Sequence, residues 1–341
     1  MTVAEPAQAN GTPLLSVRDL ATYYRVRRGS AGTGPGSGKR LLRAVDGVSF
    51  EVNRGEMLAL VGESGCGKTT VVQSVLRMTE PTGGSVIFDG IDLGQLSARR
   101  MRPLRQRLQV IEQDPYESLD PRFRVRQIVE EPLLVHGLGG SRAERRQVII
   151  QALERAGLAP AEQYLDRHPH ELSGGQRQRV AIATSLVLNP ELLLADEPVS
   201  MLDVSVRAGI LALLDTLRRD GQLAIVMITH DLSTAAHFAD RIAVMYLGRI
   251  VEEGPAEEVV TNPQHPYTKA LISAVPKRDP RDTTKAEILT GETPNPLDVP
   301  DGCRFQPRCP VAVSQCREVD PELRTPAAAT RPGHRAACIL S

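Results

Sequence analysis

The sequence predicts an α/β protein built on a parallel sheet, with an inserted helical lobe and a distinct C-terminal extension. Three observations carry this. Short apolar runs alternate with stretches of helical periodicity, the pattern of strands joined by crossover helices. A glycine-rich turn links the first buried run to the helix after it. Between the first and second runs lies a long segment, rich in Arg and Glu, whose pattern is mostly helical.

Along the chain, Met1 to Thr12 lacks a basic-then-apolar pattern, so no secretory leader is expected. Gly29 to Gly38 reads as a flexible loop between two candidate strands, inside a stretch (Leu20 to Val45) that has no acid. Met57–Val61 is a five-residue apolar run ending at glycine, which suits a strand buried on both faces. Val71, Val72, Val75 and Leu76 follow helical spacing until Pro81. Leu119 to Leu172 is expected to be mostly helical. Leu192 to Ala195 and Ala224 to Ile228 are further buried strands. Prolines at 276, 280, 294, 296 and 300 mark a linker or wrapped extension from Val275 to Pro300.

Composition removes several classes. Lys and Arg total 41, as do Asp and Glu, so no net basic charge favours nucleic acid, and none is expected as a partner. With 41% hydrophobic and 24% charged residues the chain is no disordered polymer. It holds no run of eighteen apolar residues, so no spanning helix is expected. Aromatics are only 3%, with no Trp, so the core must come from Leu, Val, Ile and Ala.

Gly62-Glu63-Ser64-Gly65-Cys66-Gly67-Lys68-Thr69 fits G-x-x-x-x-G-K-[ST] between a strand and a helix. The glycines let backbone N–H groups turn toward phosphate oxygens, and the helix N-terminus adds its dipole. Lys68 is expected to reach the β- and γ-phosphates, and Thr69 to ligate Mg²⁺. Downstream, a strand ends in Ala195-Asp196-Glu197, which would bring Asp196 beside that metal and Glu197 to an attacking water. Leu172-Ser173-Gly174-Gly175-Gln176-Arg177-Gln178 reads as a capped helix start, with Ser173 as N-cap and Gln176 closing a capping box.

With this last string the sequence resembles the ATP-binding subunits of ABC transporters, whose signature is LSGGQ. The resemblance covers nearly the whole chain. It implies a P-loop, RecA-like ATPase core with an antiparallel β subdomain and an inserted helical subdomain at about 115–185, together making a cassette of residues 1–275. It also implies an ATPase binding ATP and Mg²⁺, in which two cassettes sandwich two nucleotides head to tail. On it, Gln113 matches the Q-loop glutamine beside the metal, Asp203 the D-loop aspartate and His230 the switch histidine. Tyr24 takes the place of the adenine-stacking aromatic, with Tyr23 its rival. Gly62, Ser64, Gly65, Cys66, Gly67, Lys68, Thr69 and Thr70 would hold phosphate, and Thr69, Gln113 and Asp196 the Mg²⁺. Ser173, Gly174, Gly175, Gln176 and Asp203 would serve nucleotide held by the partner cassette. Glu197, His230 and Gln113 would carry hydrolysis. The sequence departs from the pattern at Glu112, Met201 and Thr184-Ser185.

Val61-Gly62-Glu63-Ser64-Gly65-Cys66-Gly67-Lys68, Asn262-Pro263-Gln264-His265-Pro266-Tyr267-Thr268 and Gly302-Cys303-Arg304-Phe305-Gln306-Pro307-Arg308-Cys309-Pro310 look like the dipeptide/oligopeptide importer branch, and within it like the second ATPase of the pair. That likeness implies a C-terminal extension over 276–341 and a peripheral subunit on the cytoplasmic face of the cell membrane. It implies as partners a paralogous ATPase, two permease subunits and an extracytoplasmic substrate-binding protein. Related systems carry oligosaccharides or metal chelates, and soluble ABC ATPases of translation or repair are a further class. Cys303, Cys309, Cys316 and Cys338 follow C-x5-C-x6-C-x21-C, longer spacers than zinc fingers use. A [4Fe–4S] cluster, zinc, or four inert thiols all remain readings of that spacing.

Overall fold

The computed structural model describes residues 12–26, 40–274 and 294–341. The Gly29–Gly38 loop, the start of the chain up to residue 11 and the proline-marked stretch up to residue 293 lie outside the described residues.

Strands β1 (Leu15–Val26) and β2 (Arg40–Val52) pair antiparallel, and β3 (Met57–Val61) leads through the glycine-rich turn into α1 (Lys68–Val75). The helix stops well before Pro81, because Arg77 adopts φ 50°, a left-handed conformation that cannot continue it. Then follow β4 (Gly83–Phe88), β5 (Ile91–Asp92), α2 (Ala98–Arg107) and β6 (Leu108–Ile111). The helical lobe comprises α3 (Pro115–Ser118), α4 (Val125–His136), α5 (Arg142–Arg155) and α6 (Gly174–Leu186). The core resumes with β7 (Leu192–Asp196), α7 (Val204–Gly221), β8 (Ala224–Thr229), α8 (Leu232–Phe238), β9 (Arg241–Tyr246) and β10 (Arg249–Pro255). Helices α9 (Ala256–Thr261) and α10 (Pro266–Ser273) precede a tail of short turns and one two-residue strand, β11 (Arg335–Ala336).

The lobe is less helical than its periodicity suggests. From Ala156 to Ser173 the chain runs through turns and two short 3-10 segments. Gly157 at φ 77°, Pro160 and Pro169 account for the break, since none favours a helix interior.

Two sheets result. One is antiparallel, in the order β2-β1-β4-β5; the other runs β11-β10-β9-β3-β8-β7-β6, with β9, β3, β8, β7 and β6 parallel. Every residue of β3, β7 and β8 is buried. Leu58 and Leu60 join the core under the antiparallel sheet, while Met57, Ala59 and Val61 join the core shared with the helices. A strand covered on both faces has no reason to alternate, which is why these read as continuous apolar runs.

The register places the site. Val61 pairs with Thr229, Asp196 with Ile228 and Ile111 with Ala195. The chain therefore leaves β3, β6, β7 and β8 at one edge, the carboxyl ends of the parallel strands, where open α/β sheets gather their ligands.

The tail is pinned to this body. β11 pairs with Glu252 and Glu253 of β10, and Nε2 of buried His334 lies 2.7 Å from Glu252 Oε1. Glu252 also accepts the Gln264 and His265 backbone N–H groups, at 2.7 and 2.9 Å.

Candidate functional site

The loop between β3 and α1 closes tightly because two glycines have no room for a side chain. A Cβ on Gly62 would stand 2.3 Å from the Met245 carbonyl oxygen, and one on Gly67, at φ 108°, 2.1 Å from that of Ala44. Lys68 is buried, and its ammonium donates to the carbonyls of Gly62 and Glu63 at 2.7 and 3.0 Å. A cavity of about 310 Å³ opens over the loop, lined by Ser64, Gly65, Gly67, Lys68, Thr69 and Thr70 together with Tyr24, Gln113 and Glu197. Tyr24, not Tyr23, faces it. Tyr23 is occupied by Asp46, to which its hydroxyl donates. The Cys66 side chain does not line the cavity; it is buried near the Lys68 ammonium, and burial pushes its thiol up.

Asp196 ends β7 almost fully buried, and its Oδ1 has no hydrogen-bond partner. Burial, opposed by a hydrogen bond from Thr69, raises its carboxyl above the ordinary range. An orphaned carboxylate oxygen beside a threonine hydroxyl and a lysine is an unsatisfied site for a hard cation, so these residues fit Mg²⁺. Glu112 and Gln113 lie on the adjoining cavity with Thr69 and Asp196.

Glu197 follows at φ 44°, held there by its N–H to the Ile228 carbonyl (3.1 Å) and by Ser200 Oγ on its own carbonyl (3.1 Å). Its Oε2 accepts from Gln113 Nε2 at 3.4 Å and lies 3.3 Å from His230 Nδ1. Three strand ends thus bring an amide and an imidazole to one carboxylate oxygen. That is the geometry of a carboxylate able to orient and deprotonate a water.

The predicted capping box is present: Gln176 N–H donates to Ser173 Oγ (3.3 Å) and Ser173 N–H to Gln176 Oε1 (3.0 Å). Yet Ser173, Gly174, Gly175 and Gln176 do not line the cavity over the phosphate loop; they sit on the helical lobe. Gly175 lies against α7, where an added Cβ would come 2.5 Å from Val206 Cγ1. Asp203 caps α7, accepting the Val206 N–H at 3.0 Å. Beside them Met201 and Val204 are exposed, Val204 by 81%.

Cys303, Cys309, Cys316 and Cys338 all line one small cavity, and none is bridged. Burial pushes the Cys303 thiol up to about 11 and raises that of Cys309. Among the described residues no group of three or more His, Cys, Asp or Glu stands close enough to hold one metal ion.

Sequence reasoning missed how the tail reaches the phosphate loop. Arg308 pairs with both Glu63 carboxylate oxygens (2.9 and 3.2 Å), Arg304 with Asp46, and the Glu63 N–H donates to Tyr267 Oη at 3.0 Å. The signal in the sequence was two arginines set between Cys303 and Cys309 of the tail motif.

The chain matches the family model described as ABC transporter over residues 45–200, and that described as oligopeptide/dipeptide transporter, C-terminal region, over 251–316. It is 44% identical to the oligopeptide transport ATP-binding protein AppF of Bacillus subtilis, covering 97% of this chain and 98% of that one. It is 45% identical to the dipeptide transport ATP-binding protein DppF of Escherichia coli, covering 92% and 91%. Among solved structures it resembles the dimeric, post-hydrolysis ATP-binding cassette MJ0796 bound to ADP and Pi, with TM-score 0.62 and 29% identity over 71% of this chain and 99% of that one. Among the described residues no helix is long and apolar enough to cross a membrane.

Proposed function

Since the chain belongs to the ATP-binding subunits of ABC transporters, we propose that it powers a di- or oligopeptide importer by closing onto a second cassette around ATP. One observation carries this reading. The phosphate loop and the base line one cavity, and the metal carboxylate lines the next, which shares Thr69 and Gln113 with it, while the signature helix start and its exposed apolar neighbours Met201 and Val204 line neither cavity. A head-to-tail dimer gives them one.

In the proposed mechanism the N–H groups of the 62–69 loop and the Lys68 ammonium bind the phosphates, and Tyr24 stacks on the base. Thr69 and Asp196, with Gln113, would hold Mg²⁺, which neutralises charge on the phosphate oxygens. Glu197 orients and deprotonates the attacking water while Gln113 and His230 fix its carboxylate. Ser173, Gly174, Gly175 and Gln176 reach the partner's pocket through the helix N-terminus, and Asp203 supports that junction.

The division into a cassette of residues 1–275 and an extension of 276–341 belongs to the same proposal. So do its partners: a paralogous ATPase, two permeases at the cytoplasmic face of the membrane, and an extracytoplasmic binding protein. For the four cysteines we favour a [4Fe–4S] cluster over zinc. All four line one small cavity, and a cluster accepts longer and more varied spacers than a zinc finger does. Cys303, Cys309, Cys316 and Cys338 would hold it as a crosslink of the tail.

Glu197→Gln tests the base. It should bind ATP, accumulate as an ATP-dependent dimer in sedimentation, and lose turnover by on the order of a hundredfold or more. Turnover at the wild-type rate would remove Glu197 from that role.

A further inference from the structure

We propose that Arg304, from the C-terminal tail, and Tyr23 are positioning residues for the nucleotide base: through Asp46 they fix the ring of Tyr24 that stacks on it. The inference rests on the nucleotide-binding reading above and deepens it by giving the tail a part in holding the base.

Tyr23 and Tyr24 are neighbours on β1, where successive side chains take opposite faces. Tyr24 lines the cavity over the phosphate loop, and so does Leu42, its partner across the strand pair. Tyr23 does not line it; its hydroxyl donates to Asp46 Oδ1 at 2.5 Å. Arg43, opposite Tyr23 on β2, lies 6.0 Å from the centre of that ring and 3.7 Å from Asp46 Oδ2. A ring tethered at its hydroxyl steadies the backbone that bears it. The anchor on one face of β1 therefore sets where the next side chain points on the other.

Asp46 is held in its turn by the tail. The Arg304 side chain is only 4% exposed; it donates to Asp46 Oδ2 and, at 2.5 Å, to the Leu247 carbonyl. Leu247 and Gly248, the turn between β9 and β10, line the same cavity. The Asp46 N–H donates to the Gly248 carbonyl at 2.9 Å, and the Gly248 N–H to that of Cys66 at 2.8 Å. One buried guanidinium thus ties the anchor of Tyr23 to a turn that is itself bonded to the phosphate loop. A planar donor with two acceptors holds them at a fixed separation, which a flexible ammonium does not.

The chain has no Trp, so Tyr24→Trp supplies a lone indole at the stacking position. MgATP should quench its emission, and the titration gives Kd. Added to that chain, Tyr23→Phe removes one hydroxyl and changes no charge. It should weaken Kd about three- to tenfold, part of what a base stack contributes. Arg304→Gln should do the same. Both should also make the indole of nucleotide-free protein easier to quench with acrylamide, because the ring is no longer held. Where Tyr24→Ala has removed the stack, neither change should weaken ATP binding further in calorimetry. Arg335→Gln breaks a different tail contact, to Glu253, and should leave Kd unchanged.

An unchanged Kd or acrylamide response in Tyr23→Phe overturns the proposal, and this measurement stands even where Arg304→Gln does not fold. An unchanged Kd in Arg304→Gln, or further weakening in the Tyr24→Ala chain, overturns it too. A Tyr24→Trp chain that binds ATP without quenching would instead remove the stacking role, and absence of ATP binding by the wild type would overturn the nucleotide reading itself.

Discussion

At the scale of single residues, what matters here is which charges are answered and by what. Glu191, immediately before β7, sits between Arg107 and Arg54, which also share Asp89. Hydrogen bonds from Arg107 above all, with Arg54 adding to them, hold the Glu191 carboxyl down to about 2. Its folded value is therefore below its unfolded one, so the pair stabilises the fold above about pH 4.5 and that contribution disappears as pH falls toward 2. Glu191→Gln should lower stability at pH 7 by about 1 kcal/mol, since the site is partly solvated. In urea titrations the gap from wild type should close between pH 4.5 and 2. A gap independent of pH would show that the pair contributes nothing through its charge.

Residues of the site were legible wherever the chemistry is written contiguously. The loop from Gly62 to Thr69, the Asp196-Glu197 pair and the Ser173–Gln176 box need only neighbours in sequence; the box closes as expected, and of the loop Ser64, Gly65, Gly67, Lys68 and Thr69 line the cavity. Gln113, Glu197 and His230 come from three strand ends, and only the family resemblance joined them before the register did. The Glu63–Arg308 pair spans 245 positions, and no local pattern encodes such a partner.

At the scale of elements, legibility followed solvent. β3, β7 and β8, dry on both faces, were found to within a residue. β1 and β2 were not delimited: they are wet on one side, and register shifts after Val17, Leu20 and Thr22 break their alternation. Helix α6 depends on its seat against α7. Gly175→Ala would drive a methyl group into Val206, a stiff β-branched side chain 2.5 Å away. Overpacking of this kind costs about 1–3 kcal/mol. The variant should melt several degrees lower, and Val206→Ala in the same chain should recover most of the loss. A Gly175→Ala protein melting with wild type would mean that α6 is not seated as described.

At the scale of the molecule, the extension is not an appendage. It adds β11 to the central sheet, places Arg304 against Asp46 and Arg308 against Glu63, and contributes Pro296 to the lining of the cavity over the phosphate loop. The proposed cluster has a direct check. Chain purified without oxygen should carry about four irons per molecule with visible absorbance, and replacing Cys309 by Ser should remove both. Iron-free, colourless protein that binds ATP normally would leave four inert thiols.

Cys303 and Cys309 stand immediately outside Arg304 and Arg308, one at each end of the same short turn. The sulfurs and the guanidiniums therefore share one piece of backbone, so loss of the proposed cluster in air would reach the contacts that Arg304 and Arg308 make to Asp46 and Glu63. Two preparations of identical chain, one handled in air and one under argon, would then yield different ATP titration curves, and the discrepancy would be easy to misread as batch variation.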